Sequence, residues 1–165
     1  ELGLPDSTDM PDDVRQDPGW PRSGHTERGR DGCRVPMPWE GDRPSYGFGP
    51  SELSWLPQPQ SYAALAVDRQ MGVDGTTLEL YRALLATRRG HGLGHGSMSW
   101  VEGYADDVLA FVNESDAGEP VLVITNFGWK PVTVPRGATM LLSSGPLTAQ
   151  GLVPTDTTVW LTGRP

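Results

Sequence analysis

One stretch of the chain carries apolar residues at the spacing of an amphipathic helix. In TTLELYRALLATRR, between Thr76 and Arg89, apolar side chains recur three or four residues apart. Such positions share one face of an α-helix, which has about 3.6 residues per turn. That face consists of Leu78, Tyr81, Leu84 and Leu85. The pattern therefore predicts a helix from Thr76 to Arg89.

Both ends of this segment carry residues that begin and end helices. Thr76, followed three residues later by Glu79, fits a capping box, in which each side chain accepts a hydrogen bond from the other residue's backbone N–H. Arg88 and Arg89 would lie beside the negative carboxyl end of the helix dipole, and Gly90 suits helix termination. The ends support the helix that the period predicts.

After Gly90 the sequence changes to short apolar runs, separated by turn-forming residues such as DAGE, GWK, PRG and SSGP. Runs of this length and composition predict β-strands in an antiparallel sheet or small sandwich. VLAFV and VLVIT are apolar on both faces, so these two strands are expected to be central and the flanking strands nearer the edges. Strands are predicted over Ser97–Val101, Val108–Asn113, Val121–Asn126, Val132–Val134, Thr139–Ser143 and Thr158–Leu161.

The first sixty residues show no sustained apolar period. The chain has 21 Gly and 16 Pro, and half of the prolines lie in its first third. This part is expected to need a partner surface, because it has too few apolar residues to offset the entropy lost on folding. Only short helical turns are predicted there, near Pro11–Arg15 and, further on, within Ala63–Met71.

A long loop from Glu40 to Ser61 carries several aromatic residues. Loops of this length inside a compact domain are often functional, so the aromatic side chains are candidates for the rim of a site. Alternatively, Trp55 and Leu56 pin the loop to its neighbours. The aromatic residues of the loop and its end are Tyr46, Phe48, Trp55 and Tyr62.

Charge and composition exclude some functions. The formal net charge is −8, whereas nucleic-acid binding needs a clustered basic surface, so no nucleic acid is expected as a partner. No apolar run approaches a membrane span, so no membrane is expected either. The single cysteine, Cys33, suits a reducing compartment and a cytoplasmic location. The chain opens at Glu1 with ELGLPD, which looks like the middle of a protein.

The histidines do not predict a metal site. His91 and His95 are separated by glycines in HGLGH, which removes the helix that would align two ligands four residues apart. No metal or cofactor is predicted. Asp31 and Glu40 could be imagined as paired carboxylates for glycosyl chemistry, but each lies beside arginines and is expected to form an ion pair. No catalytic residue is assigned.

The segment RGRDGCRVPMPW, from Arg28 to Trp39, is the most distinctive stretch. Pro36 and Pro38 each remove a backbone donor, so the segment is predicted to be a shaped loop. Arg30 and Arg34 lie four residues apart within it. A guanidinium group can hold a carboxylate while its remaining donors reach a hydroxyl, which makes both residues candidates for substrate binding. The alternative is a purely structural ion pair.

Several motifs resemble one family. ELGLPD resembles the segment after the eighth barrel strand, RDGCRVPMPW the Arg-Asp-x-x-Arg-x-Pro-Met-x-Trp loop, and YRALLATRR the last barrel helix, of α-glucosidases in the α-amylase superfamily. These are enzymes of the oligo-1,6-glucosidase and bacterial α-glucosidase type. VLVITNFG and TVWL resemble strands of their terminal β domain. The resemblance covers essentially the whole chain.

The resemblance implies an α+β chain in three parts. Residues 1–61 would be a pocket-loop segment, 62–90 the last barrel helices, and 91–165 an antiparallel, sandwich-like β domain. The relatives are retaining glycosidases, and their aspartate nucleophile and glutamate acid/base would precede Glu1. By resemblance, Arg34 pairs with a carboxylate outside this chain and helps to hold the terminal glucose, with Arg30 supporting it. Pro38 and Cys33 differ from some relatives and leave the preferred linkage open.

Two functions follow. In the first, the chain is the carboxyl-terminal part of a retaining α-glucosidase that acts on short α-glucoside oligosaccharides, and it is inactive without the amino-terminal barrel. In the second, it is a stand-alone carbohydrate-binding, structural or interaction module. The absence of an obvious row of exposed aromatic residues on the predicted strands counts against the second.

Overall fold

The computed structural model describes residues 1–116 and 118–163. Ala117 of the predicted DAGE turn, and Arg164 and Pro165 at the end of the predicted β domain, lie outside the described residues. The chain divides into two compact units, Glu1–Glu79 and Leu80–Pro165. The three-part division into 1–61, 62–90 and 91–165 stays a prediction.

The first unit is built from short helical turns joined by loops. The expected turns near residues 11–15 and within 63–71 are confirmed. Its α-helices are α1, Gly19–Arg22, and α2, Val67–Gln70. Its 3₁₀ turns are Asp12–Val14, Asp31–Arg34, Pro44–Gly47 and Gln60–Leu65.

A small core holds this unit together, and its buried apolar residues are Leu2, Met10, Leu56, Tyr62, Ala66 and Val67. The Tyr62 hydroxyl donates a hydrogen bond to the carbonyl of Pro5 at 2.7 Å. Nε2 of the buried Gln70 donates to the carbonyl of Leu2 at 2.9 Å. Residues from both ends of the unit therefore meet in one core. The need for a partner surface stays a prediction.

The predicted amphipathic helix is confirmed as α3, Thr77–Gly90. Its capping differs in part from the expected box. The Thr76 hydroxyl accepts a hydrogen bond from the backbone N–H of Glu79 at 3.5 Å, as predicted. The Glu79 carboxylate instead accepts from the backbone N–H of Gly72 at 2.8 Å, which ties the preceding turn to the helix.

The second unit contains the predicted antiparallel sheet. Among the described residues, its five strands lie in the order β1-β2-β3-β5-β4, and all neighbours are antiparallel. The strands are β1, Met98–Trp100; β2, Val108–Asn113; β3, Val121–Asn126; β4, Thr139–Ser143; and β5, Thr157–Thr162. The central positions predicted for VLAFV and VLVIT, which are β2 and β3, are confirmed.

Two expectations about the sheet are wrong. The segment Val132–Val134 is not a strand, and only Val132 pairs, in an isolated antiparallel bridge to Val153. Pro131 and Pro135 flank the segment and lack the N–H that a strand needs. The last strand is internal rather than near an edge, because β5 lies between β3 and β4.

The two faces of the sheet pack differently. One face carries the larger cluster of buried residues, over which residues of the 129–155 loops form a second layer. Its buried members are Ala110, Leu122, Ile124, Val153, Val159 and Leu161. On the other face, the strand registers align Trp100, Phe111, Val123 and Trp160 in one row across four strands. The row begins at an exposed Trp100 and passes through a buried Val123.

A buried asparagine fixes the turn after β3. Nδ2 of Asn126 donates to the carbonyls of Lys130 and Val153, both at 3.0 Å, and its Oδ1 accepts from the N–H of Gly128 at 2.9 Å. Because these bonds satisfy the amide, its complete burial is tolerated. The turn presents Trp129, which is 92% exposed.

Candidate functional site

The Arg28–Trp39 segment is the shaped loop that its prolines predict, and Asp31 is its buried anchor. Asp31 begins the 3₁₀ turn Asp31–Arg34 and is completely inaccessible to solvent. Its Oδ2 accepts hydrogen bonds from the backbone N–H groups of Gln16 and Asp17 at 2.8 and 2.9 Å. Its Oδ1 accepts none from the described residues. The carboxylate thus fixes the 16–17 segment against the loop.

The predicted ion pairs of the loop are realised for Glu40 but not for Asp31. Glu40 pairs with Arg43 at 3.1 Å, and both side chains are largely exposed. Asp31 contacts no arginine among the described residues, and backbone N–H groups take that place. The expectation that Asp31 pairs with an arginine is therefore wrong, because its side chain points into the unit rather than along the surface.

Asp17 is the carboxylate that meets Arg34. Nη1 of Arg34 lies 2.7 Å from Oδ2 of Asp17. The same carboxylate accepts from the backbone N–H of Gly19 at 2.8 Å and from that of Arg30 at 3.0 Å. These two backbone bonds, and after them the Arg34 charge, hold the pKa of Asp17 below its usual value.

The Arg34–Asp17 ion pair bears on the roles expected for the two loop arginines. Asp17 supplies Arg34 with a carboxylate within the chain, and the partner outside the chain that the resemblance implies stays a prediction. Arg30 takes part through its backbone N–H, and its guanidinium has no ion pair with the described residues. The substrate-binding roles of Arg34 and Arg30 stay predictions. No sequence motif marks Asp17, because its position depends on the turn that Asp31 holds.

An open cleft of about 550 Å³ lies among segments that are hydrogen-bonded to this loop. Its lining mixes polar and aromatic side chains and comes from residues 13–16, 43–46 and 52–58. The lining residues are Asp13, Val14, Gln16, Arg43, Ser45, Tyr46, Glu52, Leu53, Ser54, Trp55, Pro57 and Gln58.

Each of these three segments is hydrogen-bonded to the Arg28–Trp39 loop. The N–H of Gln16 donates to Asp31 at 2.8 Å. Nε2 of Gln58 donates to the carbonyl of Pro36 at 3.1 Å. The N–H of Trp39 donates to the carbonyl of Tyr46 at 2.7 Å. The loop therefore supports all three walls of the cleft.

One wall contains a left-handed turn. Ser45, Tyr46 and Gly47 have φ values of 42°, 49° and 74°. Left-handed φ is unfavourable for Ser and especially for Tyr, so the surrounding contacts must hold the turn. The Ser45 hydroxyl bonds both the N–H and the carbonyl of Gly49, and the Tyr46 carbonyl accepts from both Trp39 and Glu40. Residue type alone does not reveal this conformation.

The aromatic residues of the long loop divide between the two expected roles. Tyr46 and Trp55 line the cleft, and Trp55 is 63% exposed. Leu56, the neighbour of Trp55, is completely buried and pins the loop, and Tyr62 is also buried. Phe48 is exposed outside the cleft lining. The rim residue Trp55 and the anchoring residue Leu56 are therefore neighbours in the sequence.

Residues 1–116 and 118–163 contain neither a candidate metal site nor a helix suited to span a membrane. No group of three or more His, Cys, Asp or Glu side chains is placed to hold a metal ion. No helix within these ranges combines the length and apolar character needed to cross a membrane.

Parts of known proteins are similar to this chain in sequence. The chain is 37% identical over 107 residues to a probable alpha-glucosidase of Rhizobium meliloti, a match that covers 64% of this chain and 19% of the relative. It is 35% identical over 112 residues to the trehalose synthase/amylase TreS of Mycobacterium tuberculosis, covering 62% of this chain and 18% of that protein. No family model matches the chain.

Two solved structures share the fold. The alpha-glucosyl transfer enzyme XgtA superimposes with a TM-score of 0.75 at 31% identity, over 99% of this chain and 31% of that one. A trehalulose synthase mutant in complex with Tris superimposes with a TM-score of 0.73 at 20% identity, over 98% of this chain and 34% of that one. The chain thus spans about a fifth of the curated relatives it matches. The resemblance to α-glucosidases of the α-amylase superfamily is confirmed.

Proposed function

We propose that this chain forms one wall of the substrate pocket in a longer retaining enzyme that acts on short α-glucosides. The chain is similar to part of the α-glucosidases. The observation that carries the proposal is the support of all three cleft walls by the Arg28–Trp39 loop. In this proposal the nucleophile and the acid/base carboxylate lie elsewhere in the longer protein, in an amino-terminal barrel.

Arg34 would bind the terminal glucose. Its guanidinium has five N–H donors, and the described residues use one of them, at Asp17. The Arg34 side chain is 40% exposed, so donors remain accessible to sugar hydroxyls. Asp17 fixes the orientation of the planar group, and the backbone of Arg30 fixes Asp17. A guanidinium group held in this way suits hydroxyl recognition. Arg30 would support Arg34.

The test compares two lengths of protein on an aryl α-glucoside. The 165-residue chain alone should give no turnover, and turnover by it would contradict the proposal. A longer protein that contains these residues and the barrel should cleave the substrate. Arg34→Ala in that protein should lower kcat/KM by roughly tenfold or more, because a charged donor to the sugar is lost. An unchanged kcat/KM would show that Arg34 does not contact the sugar in the pocket.

A second candidate is a stand-alone carbohydrate-binding module. The β unit exposes Trp100 and Trp129, so the objection that it lacks exposed aromatic residues is weaker than the sequence suggested. Calorimetric titration of the 165-residue chain with maltose or isomaltose separates the two candidates. The pocket-wall proposal expects no measurable binding, and saturable binding would favour the module. A cytoplasmic location stays a prediction from the single cysteine.

A further inference from the structure

The sequence contains two Asp-Gly dipeptides, Asp31-Gly32 and Asp74-Gly75. Glycine has no Cβ to shield its peptide nitrogen, so this nitrogen can attack the side chain of the preceding aspartate and close a five-membered ring. The ring closes only when the carboxyl group and the nitrogen are free to approach each other. The surroundings of each dipeptide therefore decide whether it can react.

The fold holds Asp31-Gly32 in place. Asp31 is completely buried, and its Oδ2 accepts hydrogen bonds from the N–H groups of Gln16 and Asp17 at 2.8 and 2.9 Å. Gly32 is also buried, and its carbonyl accepts from the N–H of Ser7 at 3.2 Å. Turning this carboxyl group toward the glycine nitrogen would break the two bonds on Oδ2, and burial keeps water away from the ring that would result.

Asp74-Gly75 has the opposite surroundings. Residues 71–75 are all exposed to solvent. Among the described residues, the Asp74 carboxylate has no hydrogen bond or ion pair, and the N–H of Gly75 has no acceptor. Gly75 has a φ of 82°, and a Cβ on it would meet nothing within 4 Å. Both reacting groups are thus unrestrained and in water.

The turn that contains Asp74 leads directly into helix α3. The Thr76 hydroxyl donates a hydrogen bond to the carbonyl of Val73 at 2.8 Å, and the Thr76 N–H donates to the same carbonyl at 3.4 Å. The hydroxyl also accepts from the N–H of Glu79 at 3.5 Å, in the first turn of the helix. An extra backbone carbon at Asp74 would move Val73 away from Thr76 and so disturb the helix cap.

We propose that Asp74 isomerises spontaneously to isoaspartate, that this modification loosens the amino end of α3, and that Asp31 is protected from it. The Gly75 nitrogen attacks Cγ of the protonated Asp74 carboxyl group. An N–Cγ bond forms, the nitrogen loses its proton, and the Cγ–O bond breaks with release of water. Water then adds to the α-carbonyl of this succinimide and breaks that carbon's bond to nitrogen, so the chain continues through Cβ and Cγ. The mass is unchanged, and no other reactant is needed.

The experiment ages the folded 165-residue chain at neutral pH. Isoaspartate is located by peptide mass spectrometry after digestion with a protease that cleaves before aspartate but not before isoaspartate. It should accumulate at residue 74 at least about tenfold faster than at residue 31, because reaction at Asp31 must first break two hydrogen bonds. In urea, where the fold is lost, the two dipeptides should react at similar rates. Asp74→Glu keeps the charge but cannot close a five-membered ring, so it should form no product there.

Hydrogen exchange measures the effect on the helix. In aged wild type the amide of Glu79 should exchange faster than in fresh protein, and in aged Asp74→Glu it should not. Equal accumulation at residues 31 and 74 in the folded chain would overturn the proposal, and so would product at residue 74 in urea alone. Isoaspartate at residue 74 with unchanged exchange at Glu79 would overturn the effect on α3. None of these results depends on the proposed pocket, because no substrate is used.

Discussion

The Arg34 guanidinium lies 2.7 Å from the carboxylate of Asp17, seventeen residues earlier in the chain. Asp17 also accepts backbone bonds from Gly19 and Arg30, so a single carboxylate joins helix α1 to the Arg28–Trp39 loop. The orientation of Arg34 thus depends on a residue that no motif includes. Changes at Asp17 should therefore affect both the stability of the first unit and the proposed glucose contact.

Asp17 should make the first unit sensitive to acid. Its pKa is lowered in the folded chain, so its ionised form stabilises the fold at pH values above its unfolded pKa. That contribution is lost as the pH falls below about 4, toward the folded pKa. Thermal unfolding measured from neutral to acid pH should show a steeper loss for the wild type than for Asp17→Asn. Parallel pH profiles would contradict this expectation.

Asp31 should tolerate asparagine far better than alanine. Only Oδ2 accepts hydrogen bonds, from the N–H groups of Gln16 and Asp17, and an asparagine carbonyl could retain both. Asp31→Ala leaves two part-buried donors unpaired and should lower the free energy of unfolding by about 1–3 kcal/mol. Urea denaturation compares the two variants. Equal losses would show that the charge, rather than the hydrogen bonds, matters.

Asn126→Ala should destabilise the second unit, which contains the β-sheet. The substitution removes two donated bonds and one accepted bond in a fully buried position, at a cost of about 2–3 kcal/mol. Urea denaturation followed by far-ultraviolet circular dichroism measures it. Gln150→Ala, at an exposed position of the same unit, is the control and should stay within about 0.5 kcal/mol of the wild type. A similar effect of both would contradict the assigned role of Asn126.

Two glycines should respond to alanine in opposite directions. A Cβ at Gly41 would lie 2.5 Å from the carbonyl oxygen of Ala63, so Gly41→Ala should cost about 1–3 kcal/mol. Gly90 is the last residue of α3 and has open space around it, so Gly90→Ala should gain a little from helix propensity, less than the roughly 0.5–1 kcal/mol of a helix interior. Melting temperatures of the two variants test the contrast, and shifts of the same sign would contradict it.

Local pattern predicted those elements whose partners are near in sequence or whose faces are uniformly apolar. Helix α3 and strands β2 and β3 are of this kind. The internal position of β5 was missed, because its sequence TTVWLT is not a run that is apolar on both faces, although Val159 and Leu161 are buried. The position of a strand in the sheet depends on which other strands pair with it, and amino-acid composition reflects that only indirectly.

The candidate site was predictable only in part. The proline-rich loop and its arginines were evident from the sequence, and so was the pairing of Glu40. The Asp17 contact and the left-handed Ser45 and Tyr46 were not, because both result from tertiary contacts that override local preference. Sequence reasoning thus found the loop but not the cleft that it supports.

The hydrogen bonds from Tyr62 to Pro5 and from Gln70 to Leu2 join residues 57 and 68 positions apart. Contacts of such long range form only after the intervening chain has been synthesised and closed into a loop. During translation the Arg28–Trp39 loop therefore leaves the ribosome well before the residues that complete its unit. A nascent chain that stops short of Tyr62 would present the loop arginines without their finished surroundings.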